Sequence, residues 1–413
     1  MPVSDFDPLI RLNFQRVWPW TAAFMAALVY SLYALFQPVY TYDLLDPRFD
    51  AHQYKAAYDF FAGHAATFQV GFPFNTRVLV PWLASRMPFD DIVENFLVLN
   101  GIFMVLTIGF LVRIWQRLGI SWVIQFGALL WIFFHWKGLV RMYLPDPITA
   151  DVAGHFLMTL WLFQLTSFLP KSGDSDSLHL PKTINIFWLF FIAFLGVLQK
   201  ESFIVLIFFY FVIKFNVDKK RQNWLNLSLF VLSLVLYFLL FKIFPPLSPD
   251  WRNNPLVSVF RGLNRYISQP QLFLRLPVSW LFAYGFWIVA LFEKNRWDYL
   301  RLMAFVWLGL SIVGGGDTVR IFYNGMPFVL TYLLTVLNHK SERETSFLLI
   351  ASIPLMRVSE LEPDLGKFPN QMHDWCVECW TGRESMGYFL YGLLVLASYY
   401  YFFRRNALRR SKP

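Results

Sequence analysis

The chain has 413 residues, of which 57% are hydrophobic and 20% aromatic while only 15% are charged, and its mean hydropathy is +0.45. A soluble globular domain carries about 25% charged residues and breaks its apolar runs into short amphipathic stretches, so this composition excludes a soluble enzyme, a disordered chain and a nucleic-acid-binding domain. The formal net charge of +9, taken alone, suggests an anionic partner, but the placement of the basic residues along the chain explains it better.

A helix that crosses a bilayer needs about 20 mostly apolar residues. Such runs predict spans at 19–38, 93–112, 120–140, 148–169, 183–198, 202–217, 223–244, 278–292, 299–314, 321–338, 345–357 and 386–403, about twelve in all. The fifth and sixth form one apolar stretch broken by Gln199, Lys200 and Glu201, which is expensive at mid-bilayer and reads as a tight turn at one membrane face. The expected fold is an all-α polytopic membrane protein, with residues 1–413 forming one transmembrane domain. Placing the N-terminus in the cytoplasm puts more than half of the 36 Lys and Arg residues on inner segments, as the positive-inside rule requires. Both termini are then cytoplasmic. The first apolar run is full length and lacks a small-residue cleavage site, so no cleavable signal peptide is expected. The sequon at Asn226 falls inside a predicted span, which favours a bacterial plasma membrane.

This orientation leaves three long outer loops, 39–92, 245–277 and 358–385, and short outer turns at 141–147, 199–201 and 314–320. The inner loops are short, with a Ser/Asp/Gly-containing linker at 171–182. In the first outer loop, residues 49–58 read as a helix lying at the interface, with Asp50, Tyr54 and Tyr58 on one face and Phe49, Phe60 and Phe61 available for burial. Arg77 follows in Pro73-Phe74-Asn75-Thr76-Arg77-Val78-Leu79-Val80-Pro81-Trp82-Leu83. An Arg among apolar residues needs an anion, either a phosphate or a neighbouring carboxylate such as Asp90 or Asp91. The short turns add Arg141 and Asp146, the latter between two prolines, then Lys200 and Glu201, then Gly314-Gly315-Gly316-Asp317-Thr318-Val319-Arg320. Charged residues of both signs thus recur at predicted helix ends of one face, where capping of helix termini is the simpler alternative. Lys200 and Arg141 are expected beside a lipid phosphate, and Tyr54, Asp146, Glu201 and Asp317 around a substrate.

The outer-loop Asp before a Tyr-bearing helix, the Pro-Phe-x-x-Arg-Val-Leu-x-Pro-Trp-Leu segment, the Lys-Glu turn and the Gly-rich Asp-x-x-Arg turn together resemble the GT-C class of polytopic glycosyltransferases. That class takes sugar from a polyprenyl-phosphate donor at the outer membrane face. The resemblance covers much of the N-terminal half and the 314–320 turn; the rest matches in hydropathy. It implies that Asp50 is the general base and that Arg77 and Arg320 hold the lipid phosphate. The implied partners are a polyprenyl-phosphate-linked sugar, an acceptor that is a glycan, lipid or protein, and the lipid bilayer, with no nucleic acid. Asp50-Ala51-His52-Gln53-Tyr54 replaces the paired carboxylates of many members, which weakens a two-carboxylate metal site; a divalent cation stays open as a cofactor, although spacing does not support one. Tyr54, Tyr58, Trp82, Trp251, Trp375 and Trp380 suit sugar stacking, although Trp and Tyr also favour membrane interfaces.

Two constellations remain. Asp151 and His155 share a helix face at i, i+4 and read as a hydrogen-bonded pair, with a proton relay or metal as alternatives. Cys376 and Cys379 are the only cysteines, and in an outer compartment a disulfide is favoured over a zinc or redox site. Competing functions are a transporter or flippase of a lipid-linked saccharide, which predicts midplane charges and inverted repeats, and a polysaccharide polymerase.

Overall fold

The computed structural model describes residues 8–47, 49–166, 183–215, 220–247, 255–270, 272–293, 299–313 and 317–404. No strand occurs among them. In chain order the α-helices are α1 (Pro8–Phe36), α2 (Asp50–Ala62), α3 (Leu79–Ala84), α4 (Ile92–Arg117), α5 (Trp122–Phe134), α6 (Asp151–Thr166), α7 (Thr183–Gln199), α8 (Ser202–Lys214) and α9 (Lys220–Ile243). They continue as α10 (Pro255–Ser268), α11 (Leu272–Tyr284), α12 (Tyr299–Val313), α13 (Thr318–Asn324), α14 (Met326–Leu337), α15 (Glu342–Ser352), α16 (Met372–Trp375) and α17 (Gly382–Tyr399).

A helix lies at each of the twelve predicted spans, but the expected number of crossings is not met by length and composition. Among the described residues five helical segments are long and apolar enough: Arg16–Phe36, Ile92–Arg117, Asn223–Ile243, Leu272–Phe292 and Gly382–Phe403. A sixth arises if α13 and α14, bent by 75°, count as one broken span. Apolar runs mark where helices are, not where they stop. The 13 residues of α8 rise only about 20 Å, short of the roughly 30 Å hydrocarbon core. Likewise α5 ends at Phe134, well inside the run read as 120–140. Several apolar helices in one chain are what a multi-pass membrane protein has.

The chain forms two compact units. Unit 1 comprises residues 1–36, 46–121 and 146–250. Here α4 packs between α1 and α6, α6 against α7, and α7 against α8 and α9. Buried Ala22, Ala23 and Ala26 on α1, with Gly109 of α4 opposite Ala23, let two backbones approach as small residues do in membranes. The first loop is laid over the helix ends: α3 contacts α4 and α7, and the 3-10 turn Phe74–Thr76 contacts α9. Asn75 Nδ2 donates to the Phe244 carbonyl at 2.7 Å. The helix read from 49–58 is α2. Asp50 sits in its first turn, where a carboxylate complements the helix dipole, and Gly63 ends it in the left-handed region at φ 81°. Its buried face is Ala51, Tyr54, Ala57 and Tyr58, while Phe60 packs edge-to-face on Phe61 and Phe68, and Phe61 lies tilted against Phe68.

Unit 2 comprises residues 37–45, 122–145 and 251–413. Its hub is α11 and the 3-10 segment Gly285–Phe292 that continues it. Around this hub α11 contacts α13 and α17, the 3-10 segment contacts α14 and α15, and α12 contacts α10, α13 and α14. At Gly285, φ is 59° and an added Cβ would lie 2.4 Å from Ser352 Oγ, so the turn between the two helical segments requires glycine.

Candidate functional site

In unit 1 the helix ends that meet the first loop carry a connected set of charged side chains. Arg77 leaves the 3-10 turn and is buried. Its Nε and Nη2 donate to Glu201 Oε2 and Oε1 at 3.1 and 2.6 Å, a bidentate pair. Nη1 donates to the Tyr54 hydroxyl at 3.2 Å, and the guanidinium lies 4.8 Å from the centre of the Phe74 ring. Three of the five guanidinium N–H groups are thereby used. The neighbouring Lys200 donates through Nζ to Asp151 Oδ1 at 2.7 Å, and Gln199 Nε2 donates to the Ala150 carbonyl. The α7–α8 turn therefore clamps the first loop on one side and the start of α6 on the other.

The electrostatics follow from these contacts. Burial disfavours ionised Glu201, but Arg77 and then Lys200 outweigh it, so its carboxyl is held below the usual range. Burial pushes the Tyr54 hydroxyl up, against the pull of Arg77, and the carboxylates of Asp151 and Asp50 add to the rise. Asp50 is thus within electrostatic reach of the same hydroxyl that Arg77 holds.

Four of the expected site residues, Tyr54, Arg77, Lys200 and Glu201, fall in this one cluster, and Asp50 lies one turn before Tyr54 on α2. Asp146 belongs to unit 1 as well, half-buried in the segment leading to α6. The carboxylate alternatives for Arg77 are corrected: Asp91 caps α4 by accepting from Val93 N–H at 2.8 Å, and Glu201 is the partner. Asp151 takes an ion pair from Lys200, a contact its i, i+4 relation to His155 does not foretell; His155 lies one turn deeper, fully buried. Separately, α1 and α4 border an apolar groove of about 570 Å3 lined by Ala27, Tyr30, Ser31, Ala34, Gly101 and Val105, among others.

The other expected residues lie in unit 2. Asp317 caps α13, accepting from Arg320 N–H at 2.9 Å, and its Oδ2 stands 3.8 Å from Arg320 Nε. The glycines 314–316 lie outside the described residues. Arg141 is buried, with Nη1 donating to the carbonyls of Phe134, Arg357 and Val358 at 2.9, 3.0 and 3.2 Å and Nη2 to that of Glu360. These bonds tie main chain together, and a phosphate on this guanidinium would have to displace them.

Unit 2 also contains carboxylates that sequence reasoning missed. Glu362 is buried and accepts from the Tyr40 hydroxyl. Burial raises its pKa, Lys137 opposes that, and Asp317 adds to it. Glu378 Oε1 accepts from Thr318 N–H at 2.8 Å and from Ser279 Oγ at 3.2 Å. The nearby Arg275 spends Nη1 on the Glu378 carbonyl instead of the carboxylate. Burial, with Asp317 alongside, pushes the Glu378 carboxyl up to about 7. The signal was present: Glu378 lies between Cys376 and Cys379, which are joined as a disulfide, as expected, so the staple fixes the residue it encloses.

Of the aromatic residues expected to stack on sugar, Tyr54, Tyr58, Trp375 and Trp380 are buried in protein and Trp82 is exposed; Trp251 lies outside the described residues. No group of three or more His, Cys, Asp or Glu side chains able to hold a metal ion occurs among the described residues. Comparison of the chain with family models, with curated proteins and with solved structures finds no match in any of the three.

Proposed function

We propose that the protein is a membrane glycosyltransferase of the GT-C kind, moving a sugar from a polyprenyl-phosphate donor to an acceptor hydroxyl at the outer face of a bacterial plasma membrane. The observation that carries this reading is the gathering of Tyr54, Arg77, Lys200 and Glu201, with Asp50 one turn before Tyr54, where the first loop meets the helix ends of unit 1. The assignment is confined to these residues. Arg320, Asp317 and Arg141 belong to unit 2.

A sugar hydroxyl is a weak acid, so a carboxylate must take its proton as the oxygen attacks the anomeric carbon; Asp50 is assigned that role. The bond from that carbon to the phosphate oxygen breaks, and the lipid phosphate leaves with the electron pair. Cations preplaced near it stabilise the charge that grows there. Arg77 retains two N–H groups beyond those given to Glu201 and Tyr54, and Lys200 stands at the adjoining position. Attack opposite the phosphate inverts the anomeric centre. Tyr54, Glu201 and Asp146 surround the sugar or acceptor. The α1–α4 groove has a volume within the roughly 300–1,000 Å3 of small-molecule sites, and its apolar lining suits an isoprenoid chain. The twelve-span topology with both termini cytoplasmic belongs to this reading.

Transfer of radiolabelled sugar from a synthetic polyprenyl-phosphate donor, in vesicles containing the purified protein, tests it. Asp50→Asn is expected to abolish transfer while leaving donor binding intact; transfer at the wild-type rate removes Asp50 from the chemistry. A flippase or transporter of a lipid-linked saccharide is the second reading, favoured by the Lys200–Asp151 pair with His155 a turn further into α6. It predicts movement of donor across the bilayer without transfer.

A further inference from the structure

Residues 245–277 read as an outer loop, yet they contain α10, whose 14 residues extend about 21 Å, too short to cross a bilayer. At 3.6 residues per turn its described side chains divide into three sectors. One is turned to protein: Tyr266 is buried with Leu272 and Leu276, and Trp280 and Ile312 pack against this group. Gly262 belongs to it too, since a Cβ there would come 2.6 Å from the Val313 carbonyl oxygen. The second sector, at i, i+3 and i+7, holds Phe260, Leu263 and Ile267, which are 69%, 43% and 75% exposed. The third carries Asn264, Arg265 and Ser268, with Val257 of the first turn beside them.

These contacts also fix where α10 lies. Val313 is the last residue of α12, and Leu272 and Leu276 are in the first two turns of α11. The helix therefore rests against the ends of two apolar helices. The exposed stripe continues into Phe273, 58% exposed at the start of the Leu272–Phe292 span. A helix with one apolar flank, one polar flank and no room to span lies in the membrane interface, its apolar side sunk about 5–10 Å into the headgroup and acyl boundary. The sequence Pro255–Ser268 has no acidic residue, and its basic charge suits anionic headgroups.

We propose that α10 is an in-plane membrane helix whose Phe260–Leu263–Ile267 stripe is immersed in the anionic bilayer surface. This assignment is independent of the transfer reaction. The stripe anchors the α10–α11 turn in lipid and sets the depth at which unit 2 sits.

The full chain in nanodiscs of phosphatidylcholine and phosphatidylglycerol provides the test. Cys376 and Cys379 are joined, so a thiol introduced by Leu263→Cys or Ile267→Cys is the one that takes an environment-sensitive fluorophore. Ser268→Cys reports the polar sector, and Phe260→Cys replaces either stripe variant that fails to express. The expected result is blue-shifted emission at 263 and 267, quenched by spin-labelled lipid more strongly when the label is near the headgroup than at the chain end, and indifferent to aqueous iodide. The 268 probe should be quenched by iodide. Water-like emission and iodide quenching at 263 and 267 would overturn the proposal. So would shielding from both quenchers with Ile267→Cys cross-linking between copies, which would make a second chain the occupant.

Discussion

Replacing either partner of the Arg77–Glu201 pair should destabilise unit 1, and by unequal amounts. The Arg77 side chain is 9% exposed and that of Glu201 29%. Removing one member of a buried pair costs about 3–5 kcal/mol, because the other is left as an uncompensated charge. In Glu201→Ala the orphan is the more buried guanidinium, left with the Tyr54 hydroxyl and the Phe74 face, so the cost lies near the lower end of that range, about 3 kcal/mol. In Arg77→Ala the orphan is the better solvated carboxylate, which keeps the attraction of Lys200; here about 2 kcal/mol is expected, including the lost packing of the Arg stem. The double variant leaves no orphan and should fall short of the sum by about 2 kcal/mol. Equilibrium unfolding in mixed detergent micelles, followed by circular dichroism, measures all three. Additivity within about 0.5 kcal/mol, or a larger loss from Arg77→Ala, would refute the claim that this pair fastens the first loop to the α7–α8 turn.

Three further outcomes are expected. The Glu378 carboxyl is raised from 4.5 to about 7, so the folded protein holds that proton more tightly than the unfolded chain. Stability from this group is full below pH 4.5 and lost as pH rises through about 7; Glu378→Gln should flatten the melting temperature across that window, and an unchanged slope would exclude Glu378 as its source. Gly285→Ala combines a left-handed φ with a 2.4 Å approach to Ser352 Oγ and should cost about 1–3 kcal/mol, read as a lowered melting temperature. With the first loop outside, a cysteine replacing His64, an exposed residue, should react in intact cells with a thiol reagent that cannot cross the membrane; labelling only after lysis would reverse the orientation.

What sequence reasoning read well was local. Apolar runs locate a helix at every predicted span, i, i+4 spacing puts Tyr54 and Tyr58 on the buried face of α2, and Cys376 and Cys379, three residues apart, close on each other. Helix ends were less legible. The span read as 120–140 takes in His135, Trp136, Lys137 and Gly138, but the chain there leaves the helix, and Gly138 packs so closely on the Ile132 carbonyl that a Cβ would come within 2.5 Å of it. Long-range pairing was not legible at all. Arg77 and Glu201 are separated by 124 positions, and Tyr40 and Glu362 by 322, and no periodicity connects such residues. Proximity in sequence pointed Arg77 to Asp90 or Asp91, whereas Asp91 is needed at the start of α4. The apolar stripe of α10 was hidden by its shortness.

The central claim is that the chain holds a polyprenyl-phosphate lipid, and native mass spectrometry of the gently purified protein examines it most directly. Wild-type protein should carry a polyprenyl phosphate or its sugar adduct, or take one up when polyprenyl phosphate is added, and Arg77→Ala should retain several-fold less. Bulk phospholipid alone, even after polyprenyl phosphate is supplied, would contradict the account.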